Sequence, residues 1–210
     1  PRGRGMTIQN SPVHDEAVKQ GIPVYYPENF QYQKNLETFI KLDPDLVIVM
    51  AYGRLLPDRI LSYPKFGCIN VHISLLPRWR GASPVEYSLL NGDNKTGVTI
   101  FQLVSKLDAG PIISQASLSI DESMNKEDLL KKLNSIGKDL LLKTLPNYFN
   151  NKIPLQEQNE AEATYASKIS TAQTRIDFND NIIKVFNKVK AFSPKPGAWF
   201  MFRNERIKII

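Results

Sequence analysis

The chain has 210 residues, of which 42% are hydrophobic and 10% aromatic, enough for one full hydrophobic core and part of a second. Its 27 Lys and Arg residues exceed its 21 Asp and Glu residues, which gives a formal net charge of +6 and favours an anionic partner without identifying one. A single Cys excludes an internal disulfide, two distant His residues give no zinc-ligand spacing, and no apolar run reaches the roughly 20 residues of a membrane-spanning helix.

The first third of the chain predicts alternating helices and strands after a loop over 1–12 that is rich in Gly, Arg and Pro. The elements predicted there are a helix over 13–20, a strand over 22–26, a helix over 34–42, a strand over 45–53, a helix over 57–63 and a strand over 68–72. The run "DLVIVMAYG" at 45–53 is apolar without alternation, which is typical of a parallel strand covered by helices on both faces.

The middle of the chain continues this alternation. Ser83 and Pro84 predict the start of a helix, since they supply a capping residue and a first-turn proline. Strands are predicted near 97–104 and 111–119, followed by a long helix over 125–149 whose leucines recur at helical spacing. Strands and helices in alternation predict a Rossmann-like α/β fold with an open, mostly parallel sheet.

The last part of the chain predicts a change of architecture. Residues 150–170 are polar and poor in apolar side chains, which suits a linker. A helix over 181–192 and the hairpin-like run "AWFMFRNERIKII" then predict the start of a second, β-rich domain. Because the chain begins without Met and closes on a strand-like run, we expect it to be a fragment of a longer protein.

Polar side chains stand at the end of the strand "CINVH". Asn70 and His72 are two residues apart, so in an extended strand they face the same side, about 7 Å apart along the chain. Open α/β sheets hold ligands just outside the carboxyl ends of their strands. A pair of this kind is more often a hydrogen-bonded structural pair than a catalytic one. With Asp108, in the turn "LDAGP", it makes a workable set for acyl transfer to an amine.

The strings "NVHISLLPRWRGASP" and "TGVTIFQLVSKLDAGPI" resemble the formyltransferases that use 10-formyltetrahydrofolate, as do "AYGRLLP" at 51–57, "TYASKIS" and "TRIDF" at 174–178. The resemblance covers most of the chain. It implies an N-terminally incomplete catalytic domain over 1–151, a linker over 152–170, and over 171–210 the start of a β-barrel-like domain that binds tRNA. By the same resemblance, strands before residue 1 and most of the C-terminal domain are missing.

The resemblance also assigns the site. It makes Asn70, His72 and Asp108 the catalytic trio. The residues it places against the folate are Ser74, Leu75, Leu76 and Pro77 in the loop after the strand, together with Ala51, Tyr52, Gly53 and Leu55. Contact with tRNA is expected from arginines that can bind phosphate, namely Arg2, Arg4, Arg78 and Arg80.

The implied reaction takes a formyl group from 10-formyltetrahydrofolate, used as a co-substrate, to the α-amine of methionyl-tRNA. Protonated His72 and the Asn70 amide are expected to stabilise the oxyanion, while Asp108 orients His72 and relays the proton of the amine. No metal or membrane contact is expected. A cytoplasmic location is expected, because nothing in the sequence indicates a secretory signal. The protein is also expected to be a monomer.

Three other interpretations remain open. A formyltransferase that acts on a nucleotide-linked amino sugar would share the trio and the donor, and a hydrolase of the folate is a further variant. From a different class, a Rossmann-like folate-binding module without catalysis fits the same pattern. Ile73 departs from the small residue or proline that the family places between the His and the Ser, and its β-branched side chain is expected to stiffen the folate loop.

Overall fold

The computed structural model describes residues 10–210, which form two compact units, 10–41 and 42–210. The first unit contains helices α1 (Pro12–Lys19) and α2 (Gln33–Lys41). Helix α1 begins at Ser11, whose hydroxyl accepts the backbone N–H of His14 at 3.1 Å. The strand predicted over 22–26 is not found: this segment has no regular structure and pairs with no strand among residues 10–210.

The second unit alternates strands and helices along the chain. Its elements are β1 (Val47–Val49), α3 (Asp58–Leu61), β2 (Cys68–His72), β3 (Arg80–Gly81), α4 (Pro84–Leu90), β4 (Lys95–Gln102), β5 (Ile112–Ser119), α5 (Lys126–Phe149), a 3₁₀ turn (Glu160–Glu162), β6 (Tyr165–Ala166), α6 (Ile182–Phe192), β7 (Ala198–Phe202) and β8 (Glu205–Ile209). Most predicted elements are confirmed to within a few residues.

The main sheet has the strand order β1-β2-β4-β5. Strands β1 and β2 pair in parallel, β2 and β4 pair antiparallel, and β4 and β5 pair antiparallel. The expected open α/β sheet is therefore confirmed, and among the described strands its pairing is mixed. The connection over 103–111 returns the chain directly beside β4, which makes β5 antiparallel to it.

Strand β1 is shorter and more exposed than its apolar sequence predicts. It spans three residues rather than 45–53, and Ile48 is 45% exposed at the edge of the described sheet. The chain leaves the sheet at Ala51 and Gly53, whose φ angles of +51° and +71° are incompatible with an extended strand. The residues after Met50 therefore form a loop at the carboxyl end of β1.

Helix α5 packs across the sheet and forms the main core. It starts at a capping box, in which the side chain of Asn125 accepts the backbone N–H of Asp128 and the side chain of Asp128 accepts the backbone N–H of Asn125. Leu129 and Leu133 are fully buried, and each contributes about 1.5–3 kcal/mol by leaving water. At Gly137 an added Cβ would lie 3.3 Å from Val71, so the glycine lets the helix approach β2 closely.

The segment predicted as a linker pairs with the rest of the unit. Strand β6 lies parallel to β3, with Arg80 opposite Tyr165 and Gly81 opposite Ala166. A further bridge joins Gln156 to Ile112 of β5. The backbone over 156–166 is therefore held by pairing with β5 at one end and with β3 at the other. In the part of the chain that the structure describes, no helix is long and apolar enough to cross a membrane.

The final elements are a helix and a hairpin, as the sequence predicts. Asn181 caps α6 by accepting the N–H of Lys184 at 2.8 Å. Ala191 and Phe192, at the end of this helix, are fully buried in the main core. Strands β7 and β8 pair antiparallel around a tight turn in which Arg203 and Asn204 have positive φ.

Candidate active site at the carboxyl end of β2

His72 ends β2 with its ring buried and both ring nitrogens directed at oxygen atoms. The residue is 7% exposed. Nε2 lies 2.9 Å from the carbonyl oxygen of Trp79, and Nδ1 lies 3.9 Å from Oδ2 of Asp108. A carbonyl oxygen can only accept, so Nε2 carries a proton and donates it to Trp79. In the neutral ring, Nδ1 therefore has a free lone pair.

Burial decides the charge of this imidazole. Desolvation lowers the pKa of His72 below its ordinary value, although the Asp108 carboxylate and the bond to Trp79 act in the opposite direction. His72 is consequently neutral at neutral pH before any reaction begins. The predicted role of a protonated His72 as an oxyanion donor stays a prediction, and it requires that the ring first acquires a proton.

Asp108 is brought to His72 by a strained turn between β4 and β5. Its φ of +46° lies in the left-handed region that non-glycine residues rarely adopt. Oδ2 accepts the backbone N–H of Gly81 at 2.7 Å, and the residue is 9% exposed. Gly110 is required nearby, since a Cβ there would lie 1.8 Å from the carbonyl oxygen of Gln102. The turn therefore holds the carboxylate in one position.

Asn70 precedes His72 by two residues in β2 and lies opposite Val49 of β1 and Phe101 of β4. Its Oδ1 is buried and has no hydrogen-bond partner among the described residues. An unpaired buried polar atom costs about 1–3 kcal/mol, and such atoms are rare enough to need an explanation. The amide is therefore available to a ligand at the same edge as His72.

The loop over 73–77 is fixed by Thr99 of β4. Thr99 Oγ1 accepts the N–H of Leu76 at 3.1 Å and donates to the carbonyl oxygen of Ser74 at 2.7 Å. The Ser74 hydroxyl is buried and donates to the carbonyl of Arg78, and Leu76 packs in a small apolar cluster with Phe101.

Leu75 also packs into the protein, because a Cβ on Gly97 would lie only 2.6 Å from it. Three of the four predicted folate contacts, Ser74, Leu75 and Leu76, thus direct their side chains at least partly into the protein. The carbonyl oxygens of Ser74, Leu75, Leu76 and Pro77 also accept hydrogen bonds inside the protein, so this loop offers mainly the partly exposed ring of Pro77 to a ligand.

The other predicted folate residues lie in the loop after β1. Ala51, Tyr52, Gly53 and Leu55 are all exposed. Because β1 and β2 run parallel, this loop leaves the sheet at the same edge as His72. The two predicted folate segments therefore follow neighbouring strand ends.

The predicted RNA-binding arginines differ in their surroundings. Arg78 is 46% exposed in its side chain, pairs with Asp93 through two hydrogen bonds of 2.6 and 3.1 Å, and stacks on Trp79. Arg80 has no exposed surface and donates to Gln158 and Glu160. Burial of Arg80 contradicts its predicted contact with RNA, since a phosphate cannot reach it. Arg2 and Arg4 lie outside the described residues.

Four residues around the trio were not predicted from the sequence. Trp79 supplies the carbonyl that orients His72, and Thr164 fixes Trp79 by accepting its N–H at 2.9 Å. Gly81 and Gln158 hold Asp108. Trp79 and Gly81 stand in the string "RWRG", which could have drawn attention to them, whereas nothing in the polar segment 152–170 marks Thr164 or Gln158. Among the described residues, no group of three His, Cys, Asp or Glu side chains could hold a metal ion.

Comparison with known proteins finds relatives along almost the whole chain. Residues 1–145 match the family described as "Formyl transferase", and residues 168–210 match "Formyl transferase, C-terminal domain". The methionyl-tRNA formyltransferase of Latilactobacillus sakei is 40% identical over 207 residues, which are 99% of this chain and 65% of that protein. The methionyl-tRNA formyltransferase of Bacillus subtilis is 40% identical over 209 residues, 100% of this chain and 66% of that protein. The chain thus spans slightly less than two thirds of the length of these relatives.

Solved structures share the fold at lower identity. A sugar N-formyltransferase from a Shewanella species superposes with a TM-score of 0.76 and 19% identity, covering 92% of this chain and 78% of that one. HypX from Aquifex aeolicus, solved in complex with tetrahydrofolic acid, superposes with a TM-score of 0.72 and 19% identity, covering 82% of this chain and 30% of that one.

Proposed function

Since the chain belongs to the formyl transferase family, we propose that it transfers a formyl group from 10-formyltetrahydrofolate to the α-amine of methionyl-tRNA. The observation that supports the proposal is the approach of Asp108 to within 3.9 Å of His72, which follows Asn70 by two residues in β2. The 40% identity to methionyl-tRNA formyltransferases over nearly the whole chain supports this acceptor over a sugar.

His72 acts as the base in this proposal. The neutral α-amine attacks the formyl carbon, and free α-amines titrate near about 7.7–8.0, so a usable fraction is unprotonated at neutral pH. Nδ1 takes the proton that the amine loses as the new C–N bond forms. Asp108 then faces a positively charged ring at 3.9 Å and stabilises it. When the bond from the formyl carbon to N10 breaks, the proton passes from His72 to N10 through one water, so no other acid is needed.

Asn70 acts on the formyl oxygen. Its side-chain NH2 donates to the oxyanion that forms on attack, and Oδ1, which lacks a partner among the described residues, can accept the N–H that remains on the attacking amine. Loss of one such donor typically costs about 10²- to 10³-fold in rate. Both products, a formylated amine and tetrahydrofolate, keep every atom of the two substrates.

The folate is proposed to lie between the loops after β1 and β2. Support comes from the exposed main chain of Ala51 and Gly53 and from Pro77, which follow two neighbouring strand ends. Main-chain groups with fixed geometry suit the polar edge of a pterin ring, and Leu55 offers apolar surface beside them. Tyr52 is placed in the same contact.

Contact with RNA is proposed for Arg78, for Arg2 and Arg4, and for a basic cleft in the second unit. This cleft has a volume of about 460 Å³ and is lined by three basic residues, one acidic residue and several hydroxyl side chains, the charged ones being Lys168, Arg206, Lys208 and Glu86. Cations of this kind contact phosphate and position a nucleic acid without reading its sequence. We also propose that the protein is a monomer in the cytoplasm, since all three site residues come from one chain and charged tRNA is found there.

The experiment is an assay of the acceptor. The protein is incubated with 10-formyltetrahydrofolate and either methionyl-tRNA or a nucleotide-linked amino sugar, and the formylated product is separated and quantified. Formylmethionyl-tRNA as the main product supports the proposal. A formylated sugar would instead indicate a sugar formyltransferase, and free formate without an acceptor would indicate a folate hydrolase. Folate binding without any product would indicate a binding module without catalysis.

A further inference from the structure

Gln158 lies between a buried arginine and the turn that carries Asp108. Its side chain is 9% exposed. Oε1 accepts from Arg80 Nε at 3.1 Å and from Nη2 at 2.9 Å. Nε2 donates to the carbonyl oxygen of Asp108 at 2.8 Å and to that of Gly110 at 2.7 Å. All four hydrogen bonds of the amide are therefore made inside the protein.

The chemistry of Arg80 fixes which way this amide faces. A guanidinium has only donors, so it must meet the oxygen of Gln158, and the NH2 group is left for two carbonyls that can only accept. Flipping the amide would set donors against donors and acceptors against acceptors. Glu160 accepts from the remaining side of the guanidinium and also pairs with Lys106, which keeps Arg80 in place.

The same assembly holds both ends of Asp108. Gln158 binds its carbonyl, and Gly81, the neighbour of Arg80, donates its backbone N–H to the carboxylate at 2.7 Å. This matters because Asp108 has a φ of +46°, a conformation that costs a non-glycine residue about 1–2 kcal/mol. The turn keeps that conformation only if the surroundings impose it.

We propose that Gln158 is a positioning residue that holds the Asp108 carboxylate against His72. The proposal assigns a role to a segment, 152–170, whose composition indicates only a linker. Its consequence for catalysis rests on the proposed function, whereas its consequence for the position of Asp108 does not. The charged groups that surround the pair are Arg80, Lys106 and Glu160 on the side of Asp108, and Arg78 and Asp93 beside Trp79.

The test reads His72 directly, because the chain has only two histidines and the second, His14, lies in the other unit. Both are titrated by NMR in the wild type and in Gln158→Met, which keeps the length of the side chain but removes its hydrogen bonds. Asp108→Asn gives the change in the pKa of His72 that is expected when the carboxylate charge is lost. Gln173→Leu, which replaces an exposed glutamine, is the matched control.

If Gln158 positions Asp108, the pKa of His72 falls by about 0.5–1 unit in Gln158→Met, in the same direction as in Asp108→Asn. The titration of His14 should not change in any variant, and that of His72 should not change in Gln173→Leu. If the pKa of His72 is unchanged in a folded Gln158→Met protein, the proposal is overturned. An unchanged pKa of His72 in Asp108→Asn also overturns it. If Gln158→Met does not fold, Gln158→Asn serves, because the shorter amide cannot reach Arg80 and both carbonyls together, and the same two outcomes apply.

A second readout uses the reaction. We expect kcat to fall about tenfold or more in Gln158→Met, with KM for both substrates within about twofold of the wild type, since the amide of Gln158 makes all its hydrogen bonds within the protein. A KM change with an unchanged kcat would contradict positioning. If the wild-type protein transfers no formyl group, the proposed function fails, and the titration of His72 still decides the role of Gln158.

Discussion

His72 and Asp108 are close without sharing a proton: Nδ1 and Oδ2 are 3.9 Å apart, beyond hydrogen-bond distance. The carboxylate therefore acts on the imidazole through its charge. It leaves the Nδ1 lone pair free before the reaction and stabilises the ring once a proton arrives. The bond from Nε2 to Trp79 fixes the ring so that only Nδ1 is available to a substrate.

The pH dependence of formyl transfer follows from this pair. We expect the single-turnover rate to rise with pH as His72 loses its proton, through a pKa lower than the ordinary value because burial disfavours the charged ring. Asp108→Asn removes the charge that opposes this shift, so the rise moves to lower pH, and the plateau falls about 10²-fold because the protonated ring is no longer stabilised. The titration of the substrate amine is common to both proteins and cancels in the comparison. A rise that moves to higher pH in Asp108→Asn would contradict this account.

Asn70→Ala tests the unpaired amide. We expect the rate of formyl transfer to fall about 10²- to 10³-fold with little change in KM, since the donor acts on charge that develops only during the reaction. Ser88→Ala is the matched control, because the Ser88 hydroxyl is also buried and unpaired among the described residues but lies in α4. Equal losses in both variants would show that the effect comes from the fold and not from the site.

Substitution of Arg80 should lower the stability of the protein, whereas substitution of Arg78 should mainly weaken RNA binding. Arg80→Gln removes both donors to the buried Oε1 of Gln158, so we expect the free energy of unfolding to fall by about 1–3 kcal/mol in urea titrations. Arg78→Gln removes a partly exposed ion pair and should cost at most about 1 kcal/mol.

Arg80→Gln should have the larger effect on stability, but Arg78→Gln should have the larger effect on the affinity for methionyl-tRNA. Arg78→Gln should weaken binding and make the salt dependence of the binding constant less steep, by about one charge. A steeper loss of RNA affinity in Arg80→Gln, at a temperature where both proteins are folded, would restore Arg80 as an RNA contact.

Gly110→Ala tests the close approach that forms the Asp108 turn. The new Cβ would lie 1.8 Å from the carbonyl oxygen of Gln102, and the contacting atom is backbone, so the turn has to move. We expect a loss of at least about 1–3 kcal/mol in unfolding free energy, as for other overpacked sites. Gly67→Ala is the control, since that site has open space and only its φ of +70° is unfavourable, at about 1–2 kcal/mol. A Gly110→Ala protein as stable as the wild type would refute the tight packing.

The sequence could predict Asn70 and His72 because their relation is local. Strand spacing alone places both side chains on one face, and an open α/β sheet places that strand end at a ligand site. Asp108 was added from its turn between two predicted strands and assigned by the family resemblance, and the structure brings it within 3.9 Å of the imidazole. Helix α5 was equally predictable, since its leucines repeat at helical spacing.

The environment of the pair could not be predicted, because it depends on contacts between distant segments. Gln158 meets Arg80 across 78 residues of sequence, and its surrounding composition indicates only a polar linker. The burial of Arg80 follows from the pairing of β3 with β6, which a string rich in Gly and Arg does not reveal. The lowered pKa of His72 could not be predicted for the same reason, since it depends on desolvation by the surrounding fold, which outweighs the nearby carboxylate.

The rate of formylmethionyl-tRNA formation in a His72→Ala protein, shown to be folded by its urea unfolding curve, tests the central claim most directly. We predict that the wild-type protein formylates methionyl-tRNA and that the variant is slower by about 10²-fold or more at saturating substrates. Formylation at the wild-type rate by the folded variant would contradict the assignment of the site.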